Sequence, residues 1–135
     1  MEWLQNKACD PSQMSALALA FIGDGVYELL VRKSLVAGGK DARVKDLHAR
    51  AVACVRCETQ ARAARDVLLP VFTEEEAAVY ARGRNAHVGH VPKNASVADY
   101  HAATALEAVF GYLYLKGEME RVHELFELCR TTFEG

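Results

Sequence analysis

The sequence predicts a single all-α domain, and three observations lead to this class. The chain has 135 residues, 51% of them hydrophobic, which is enough for one core and too apolar for a disordered chain. Apolar residues recur at intervals of three and four along most of the chain, and no segment alternates as a half-buried strand does. No apolar run reaches the roughly 18 residues of a membrane-spanning helix. We expect one helical domain over residues 1–135, with its motifs within residues 14–116.

The first two expected helices cover residues 14–36 and 44–67. In the first, Asp24 and Glu28 fall on the same face as the apolar Phe21 and Tyr27, so two acids share an apolar stripe. A Gly-Gly pair at 38–39 ends this helix. The second is a continuous segment rich in Ala and Arg, and Pro70 stops it.

Three further helices are expected at residues 73–82, 97–115 and 118–133. The first of them follows Thr73, an N-cap residue with three glutamates after it. Gly117 separates the last two. Residues 83–97 contain two Gly, one Pro, two Asn and two His, which is the composition of a polar loop.

Charge is unevenly distributed, although the net charge is only -2. Residues 40–66 hold seven basic and four acidic residues, and residues 82–93 hold three basic residues and no acid. A local positive field attracts phosphates even on a near-neutral protein. The alternative is that these are ordinary solvated surface charges.

Two acids, Asp24 and Glu107, project from apolar helix faces without a Lys or Arg one turn away. If their helices pack together, Asp24, Glu28 and Glu107 converge, and a hard cation such as Mg²⁺ would offset their repulsion. The alternative is that each acid makes a local hydrogen bond at a half-exposed position. Glycines at 23, 25 and 111 cost about 1 kcal/mol each relative to Ala within a helix. Close approach of two helix backbones beside the acids would explain them.

Two segments resemble the signature motifs of the ribonuclease III family. Residues 21–28, FIGDGVYE, are similar to the first motif, and residues 107–115, EAVFGYLYL, to the second. Residues 17–24 (LALAFIGD), 72–76 (FTEEE), 82–86 (RGRNA) and 92–94 (PKN) resemble the Mini-III branch, which consists of the catalytic domain alone. Ala20 and Thr104 stand where the wider family has two further acids, and the Mini-III branch shares both replacements.

The resemblance implies a Mg²⁺-dependent endoribonuclease that cleaves double-stranded RNA to 5'-phosphate and 3'-hydroxyl ends, with Mn²⁺ as a substitute. It implies that Asp24 and Glu107 are the catalytic and metal-binding residues, with Glu28 as a supporting acid. It also implies maturation of 23S ribosomal RNA precursor and a homodimer whose interface includes residues 17–28. The alternative is a non-catalytic helical RNA-binding module.

RNA binding is expected from the polar loop, because the chain has no room for a double-stranded-RNA-binding domain after its last motif. The candidate residues donate to phosphates and 2'-hydroxyls. They are Arg82, Arg84, Asn85, Lys93 and Asn94. No aromatic residue interleaves with them, so recognition of a duplex by shape is favoured over stacking on single strands.

Cys54 and Cys57, one turn apart on the expected second helix, could bind zinc together with His87 and His90. The pattern is weak, and buried thiols on an Ala-rich helix are the favoured interpretation. The first eight residues have no export or organelle signal pattern, so we expect a cytoplasmic protein with no membrane partner.

Overall fold

The computed structural model describes residues 10–38, 43–87 and 89–133. These residues form six α-helices and no strand, which confirms the expected all-α class. The N-terminal residues without an export pattern, and Lys40 of the basic segment, lie outside the described part. None of the helices in the described ranges is long and apolar enough to cross a bilayer.

Helix α1 spans Ala16–Gly38 and follows a short 3₁₀ turn at Pro11–Gln13. Asp10 caps this turn by accepting a hydrogen bond from the Ser12 N–H at 3.1 Å. The Ser15 hydroxyl accepts from the Ala18 N–H at 3.1 Å and so caps the start of α1. The helix reaches the glycine expected to end it.

Helices α2, Val44–Val55, and α3, Cys57–Ala63, replace the single continuous helix expected over residues 44–67. That prediction is wrong at Arg56, whose backbone is extended with φ -62° and ψ 150°. The Thr59 hydroxyl donates to the Ala53 carbonyl at 2.7 Å and so bonds a carbonyl near the end of α2. A π turn, Ala64–Leu68, and a 3₁₀ turn, Leu69–Val71, continue the chain.

Helix α4, Glu74–Arg84, begins with the expected cap. The Thr73 hydroxyl accepts from the Glu76 N–H at 3.1 Å, and the Glu76 carboxylate accepts from the Thr73 N–H at 2.9 Å. Glu76 is buried, and Arg121 donates to its carboxylate at 2.8 Å from the last helix. One carboxylate therefore caps α4 and links it to the C-terminal part of the chain.

Helix α5, Val97–Lys116, and helix α6, Met119–Arg130, are joined at Gly117. Gly117 has φ 85°, the left-handed conformation that favours glycine. Helix α5 lies at the centre of the fold and packs against α1, α3, α4 and α6. Behind the α1–α5 contact, the buried Tyr27 ring meets Phe110 and Phe126 edge to face, with centroids 5.2 and 5.6 Å apart.

Candidate active site

The α1–α5 contact is a direct approach of two backbones. A Cβ atom on Gly23 would lie 1.7 Å from the Glu107 carbonyl oxygen, and one on Gly111 would lie 2.0 Å from the Leu19 carbonyl oxygen. Only glycine permits this separation at either position. The same role expected of Gly25 is wrong, because a Cβ there would meet no atom within 4 Å among the described residues.

Asp24 and Glu107 meet beside this contact, and their carboxyl groups share a hydrogen bond. Burial first, then the charge of Asp24 and the bond with Asp24, raise the pKa of Glu107 to about 8. A hydrogen bond from Gln60 lowers that pKa. Because two carboxylates at such close range cannot both ionise without cost, the pair must share a proton or bind a cation.

The two acids open onto a cleft of about 380 Å³ between α1, α3 and α5. No lysine or arginine lines this cleft within the described ranges. The pair therefore offers the ligands that a hard divalent cation prefers, namely carboxylate oxygens without a neighbouring basic side chain. The expected departures from the wider family, Ala20 and Thr104, also line the cleft, and the Thr104 hydroxyl donates to the Tyr100 carbonyl at 3.0 Å.

The cleft residues that were not anticipated from the sequence include Cys57, Gln60 and Tyr100. Cys57 and Gln60 reach the cleft because α3 takes a new direction after the extended Arg56. No local pattern marks Cys57 and Gln60, because they lie more than forty residues before the motif on α5 and their position depends on how α3 packs.

Glu28 does not line this cleft. Its carboxylate lies 3.4 Å from the Arg32 guanidinium, one turn along α1, and both side chains are about half exposed. The structure therefore brings Asp24 and Glu107 together, whereas Glu28 pairs with the Arg32 side chain of its own helix. A supporting role for Glu28 stays a prediction.

The five candidate RNA-binding residues occupy three settings. Arg84 and Asn85 line a second cleft together with Arg65 and His101. Arg82 is exposed, but its guanidinium donates to the Met14 carbonyl at 2.6 Å. Lys93 and Asn94 are exposed on a turn that a hydrogen bond from the Ala95 N–H to the Pro92 carbonyl closes at 3.2 Å.

Zinc binding by the Cys and His pairs has no support. The described residues contain no group of three or more His, Cys, Asp or Glu placed to hold a metal. Cys54 is buried near the end of α2, whereas Cys57 begins α3, so the expected single helix carrying both is also wrong.

Residues 17–118 match the family model of the ribonuclease III domain. The chain belongs to the ribonuclease III family. It is 42% identical over 128 residues to a Mini-ribonuclease 3 of Symbiobacterium thermophilum, covering 95% of this chain and 97% of the relative. It is 40% identical over 125 residues to a Mini-ribonuclease 3 of Clostridium tetani, covering 93% of this chain and 82% of the relative.

A crystal structure of a Fusobacterium nucleatum protein has the same fold, with a TM-score of 0.79 and 28% identity. The match covers 88% of this chain and 93% of that one. The family match confirms the expected Mini-III resemblance and makes the chain an endoribonuclease. The alternative of a non-catalytic module is therefore not favoured.

Proposed function

We propose that the chain is a Mg²⁺-dependent endoribonuclease that cuts both strands of duplex RNA as a homodimer, leaving 5'-phosphate and 3'-hydroxyl ends. The observation that carries the proposal is the pairing of Asp24 with Glu107 in a cleft without a neutralising side chain. In line with its resemblance to the Mini-III branch, we propose 23S ribosomal RNA precursor as its substrate and the cytoplasm as its location.

Asp24 and Glu107 would hold the cation through their carboxylate oxygens, and Mn²⁺ would be an acceptable substitute because it prefers similar ligands. The cation, when bound, activates water for in-line attack on a phosphodiester and stabilises the leaving oxygen. Glycines at 23 and 111 keep the two carboxylates at short range, so the site is formed before the cation binds. Glu28, on the same helix, would support Asp24 from outside the cleft.

Duplex RNA would be bound by the candidate residues on α4 and the loop after it, and by the second cleft. Arg84 and Arg65 line that cleft, with the Arg65 guanidinium donating to Asp99 at 2.8 Å, and Asn85 adds an amide donor. Such donors suit the phosphates and 2'-hydroxyls of an A-form duplex. Lys93 and Asn94 would extend this surface along the loop. The exposed Arg82 would add a positive charge, although its guanidinium also donates to the Met14 carbonyl.

The proposal is tested by cleavage of a duplex RNA by Asp24→Asn and Glu107→Gln. Each change keeps the shape of the side chain and removes a charge that would hold the cation. We expect cleavage to fall by about 100-fold or more, since the charge stabilisation of the reaction is lost. Circular dichroism should show an unchanged helical fold.

Cation binding is measured separately, by the shift of the melting temperature on adding Mn²⁺. A cation at one hundred times its Kd stabilises the folded parent by about 2.7 kcal/mol, and neither variant should show this gain. Glu127→Gln, at an exposed carboxylate paired with Arg130 on α6, is the matched control and should behave as the parent. Cleavage retained by either site variant would refute the assignment. A parent that binds duplex RNA without cutting it in Mg²⁺ or Mn²⁺ would restore the non-catalytic alternative.

A further inference from the structure

Gln60 occupies an unusual position for an amide. Its side chain is only 2% exposed and lines the same cleft as Glu107, from the α3 wall, and its amide lowers the pKa of Glu107 as a hydrogen-bond donor does. Its carbonyl oxygen Oε1 is buried and has no hydrogen-bond partner among the described residues. Few buried polar atoms in native proteins lack a partner, and those that do call for an explanation.

The orientation of this amide follows from its neighbour. With a cation bound, Glu107 is ionised and only accepts hydrogen bonds, so in that state the NH₂ group of Gln60 faces Glu107 and Oε1 points away from it. Burying Oε1 without a partner costs about 1–3 kcal/mol. A methionine of similar size would fill the same space without this cost. Packing alone therefore does not account for glutamine at this position.

We propose that Gln60 is a positioning residue of the cation site, whose amide N–H holds the Glu107 carboxylate in the orientation that binds the cation. The inference rests on the proposed function, because it assigns Gln60 a role toward the cation held by Asp24 and Glu107. Groups that orient a metal-binding side chain in this way typically contribute 10- to 100-fold in metal affinity. The unpartnered Oε1 is then the cost in stability of keeping a donor beside Glu107.

The fold gives Gln60 the rigidity that this role requires. It lies one residue after the buried Thr59, whose hydroxyl bonds the Ala53 carbonyl across the break at Arg56. Gln60 is thus fixed by its own helix and by the α2–α3 junction, and Glu107 by α5. The Gly23 contact fixes Glu107 only at the backbone, so a hydrogen bond from the Gln60 amide would, together with Asp24, set the orientation of its carboxylate.

The test compares Gln60→Met and Gln60→Asn with the parent. Methionine keeps the volume and removes the donor, and asparagine keeps the amide but draws it back from Glu107 by one methylene. Mn²⁺ binding is measured by calorimetry, and the melting temperature is measured without cation. We expect Kd for Mn²⁺ to rise about tenfold or more in each variant. For Gln60→Met we expect an unchanged or higher melting temperature, because the unpartnered oxygen is gone.

Glu76→Gln is the matched control, since it removes a buried, charge-assisted hydrogen bond with Arg121 outside the cleft. It should lower the melting temperature and leave Kd for Mn²⁺ within twofold of the parent. The inference is overturned if either folded Gln60 variant binds Mn²⁺ within twofold of the parent, including the case in which only its stability falls. A parent that binds no Mn²⁺ at all would instead overturn the cation site itself, and Glu107→Gln in the same titration identifies that outcome.

Discussion

Two buried or partly buried glutamates, Glu107 and Glu76, have pKa values shifted in opposite directions. Glu107 faces another acid, and burial and Asp24 raise its pKa to about 8. For Glu76, burial also raises the pKa, but the charged hydrogen bond from Arg121 and the bond from the Thr73 N–H lower it by more. Its net pKa lies below the usual range, so Glu76 stabilises the fold as an anion.

We expect Glu76→Gln to lower the free energy of unfolding by about 2 kcal/mol at pH 7, because a charge-assisted hydrogen bond is removed. A carboxyl whose pKa is lowered in the folded state contributes stability above its unfolded pKa and loses it as pH falls through its folded pKa. The difference between variant and parent should therefore shrink below about pH 4. Urea unfolding at pH 7 and at lower pH measures it.

Glu124→Gln is the control for this prediction. Its carboxylate lies 3.7 Å from the same arginine but is largely exposed, and such pairs contribute little. If the Glu76 variant were as stable as the Glu124 variant at pH 7, the Glu76–Arg121 interaction would not stabilise the fold.

At the scale of helices, the contact between α1 and α5 is the one on which the site depends. We expect Gly23→Ala to destabilise the protein by about 3 kcal/mol and to reduce cation affinity, since its Cβ overlaps the Glu107 carbonyl and the helices must separate. Thermal unfolding and Mn²⁺ titration measure the two effects.

Gly25→Ala, two residues away on α1, is the matched control. Its Cβ meets no described atom within 4 Å, so we expect a gain of roughly 0.5–1 kcal/mol from the lower backbone entropy of the unfolded chain. Equal effects of the two changes on stability would mean that the close approach of the two backbones does not matter here.

The helices themselves were predictable where local signals set their ends. The Thr73 capping box and the left-handed Gly117 act within one turn, and both ends lie where the sequence places them. The break at Arg56 was not predictable. Its flanking residues are compatible with a helix, and the extended conformation is stabilised by tertiary contacts of α3 with α5.

The same distinction holds for the candidate site. Glycines at 23 and 111, set beside isolated acids, indicated a close approach of α1 and α5 without knowledge of the fold. Gln60 gave no such signal, because its importance depends on a contact with a helix far away in the sequence. In the sequence, Arg65 was only one charge of a basic stretch. The packing of the chain after α3 against α5 places it in the same cleft as Arg84.

The basic residues at the end of α4 and in the loop after it are predicted to set RNA affinity. We expect Arg84→Ala combined with Lys93→Ala to weaken duplex binding and to lower the slope of log K against log salt by about one for each phosphate that is no longer bound. KM should rise more than kcat falls. Adding Arg82→Ala should weaken binding further and also lower stability, because the bond to the Met14 carbonyl is removed.

Titrations of a fluorescent duplex at two salt concentrations measure this effect. Arg130→Ala, on α6 and paired with Glu127, is the control and should leave affinity unchanged. Parent-like affinity of the triple variant at both salt concentrations would mean that RNA binds elsewhere.

For the molecule as a whole, α1 carries more apolar surface than its own core covers. Phe21 is 85% exposed and Leu29 is 67% exposed, although both lie on a helix whose opposite face is fully buried. A helix surrounded entirely by its own chain would not leave these side chains in water. We therefore expect the proposed homodimer to cover them, with one cleft for each strand of the duplex.

Light scattering should give twice the 14.9 kDa mass of one chain for the parent. We expect Leu29→Glu to favour the monomer and to slow double-strand cleavage, because a charge in an apolar interface is costly. Met119→Glu, at an exposed apolar residue on α6, should leave the mass unchanged. A parent mass of one chain, with both strands still cut at one position, would exclude the obligate dimer.

The main-chain contact between α1 and α5 also bears on how the enzyme fails when it is heated. Because the backbones of α1 and α5 touch directly at Gly23 and Gly111, the two helices themselves must move apart to separate Asp24 from Glu107. We therefore expect the Asp24–Glu107 pair to belong to the most slowly opening unit of the fold. Heat inactivation should therefore coincide with global unfolding, in contrast to enzymes whose active-site loops lose order at lower temperature.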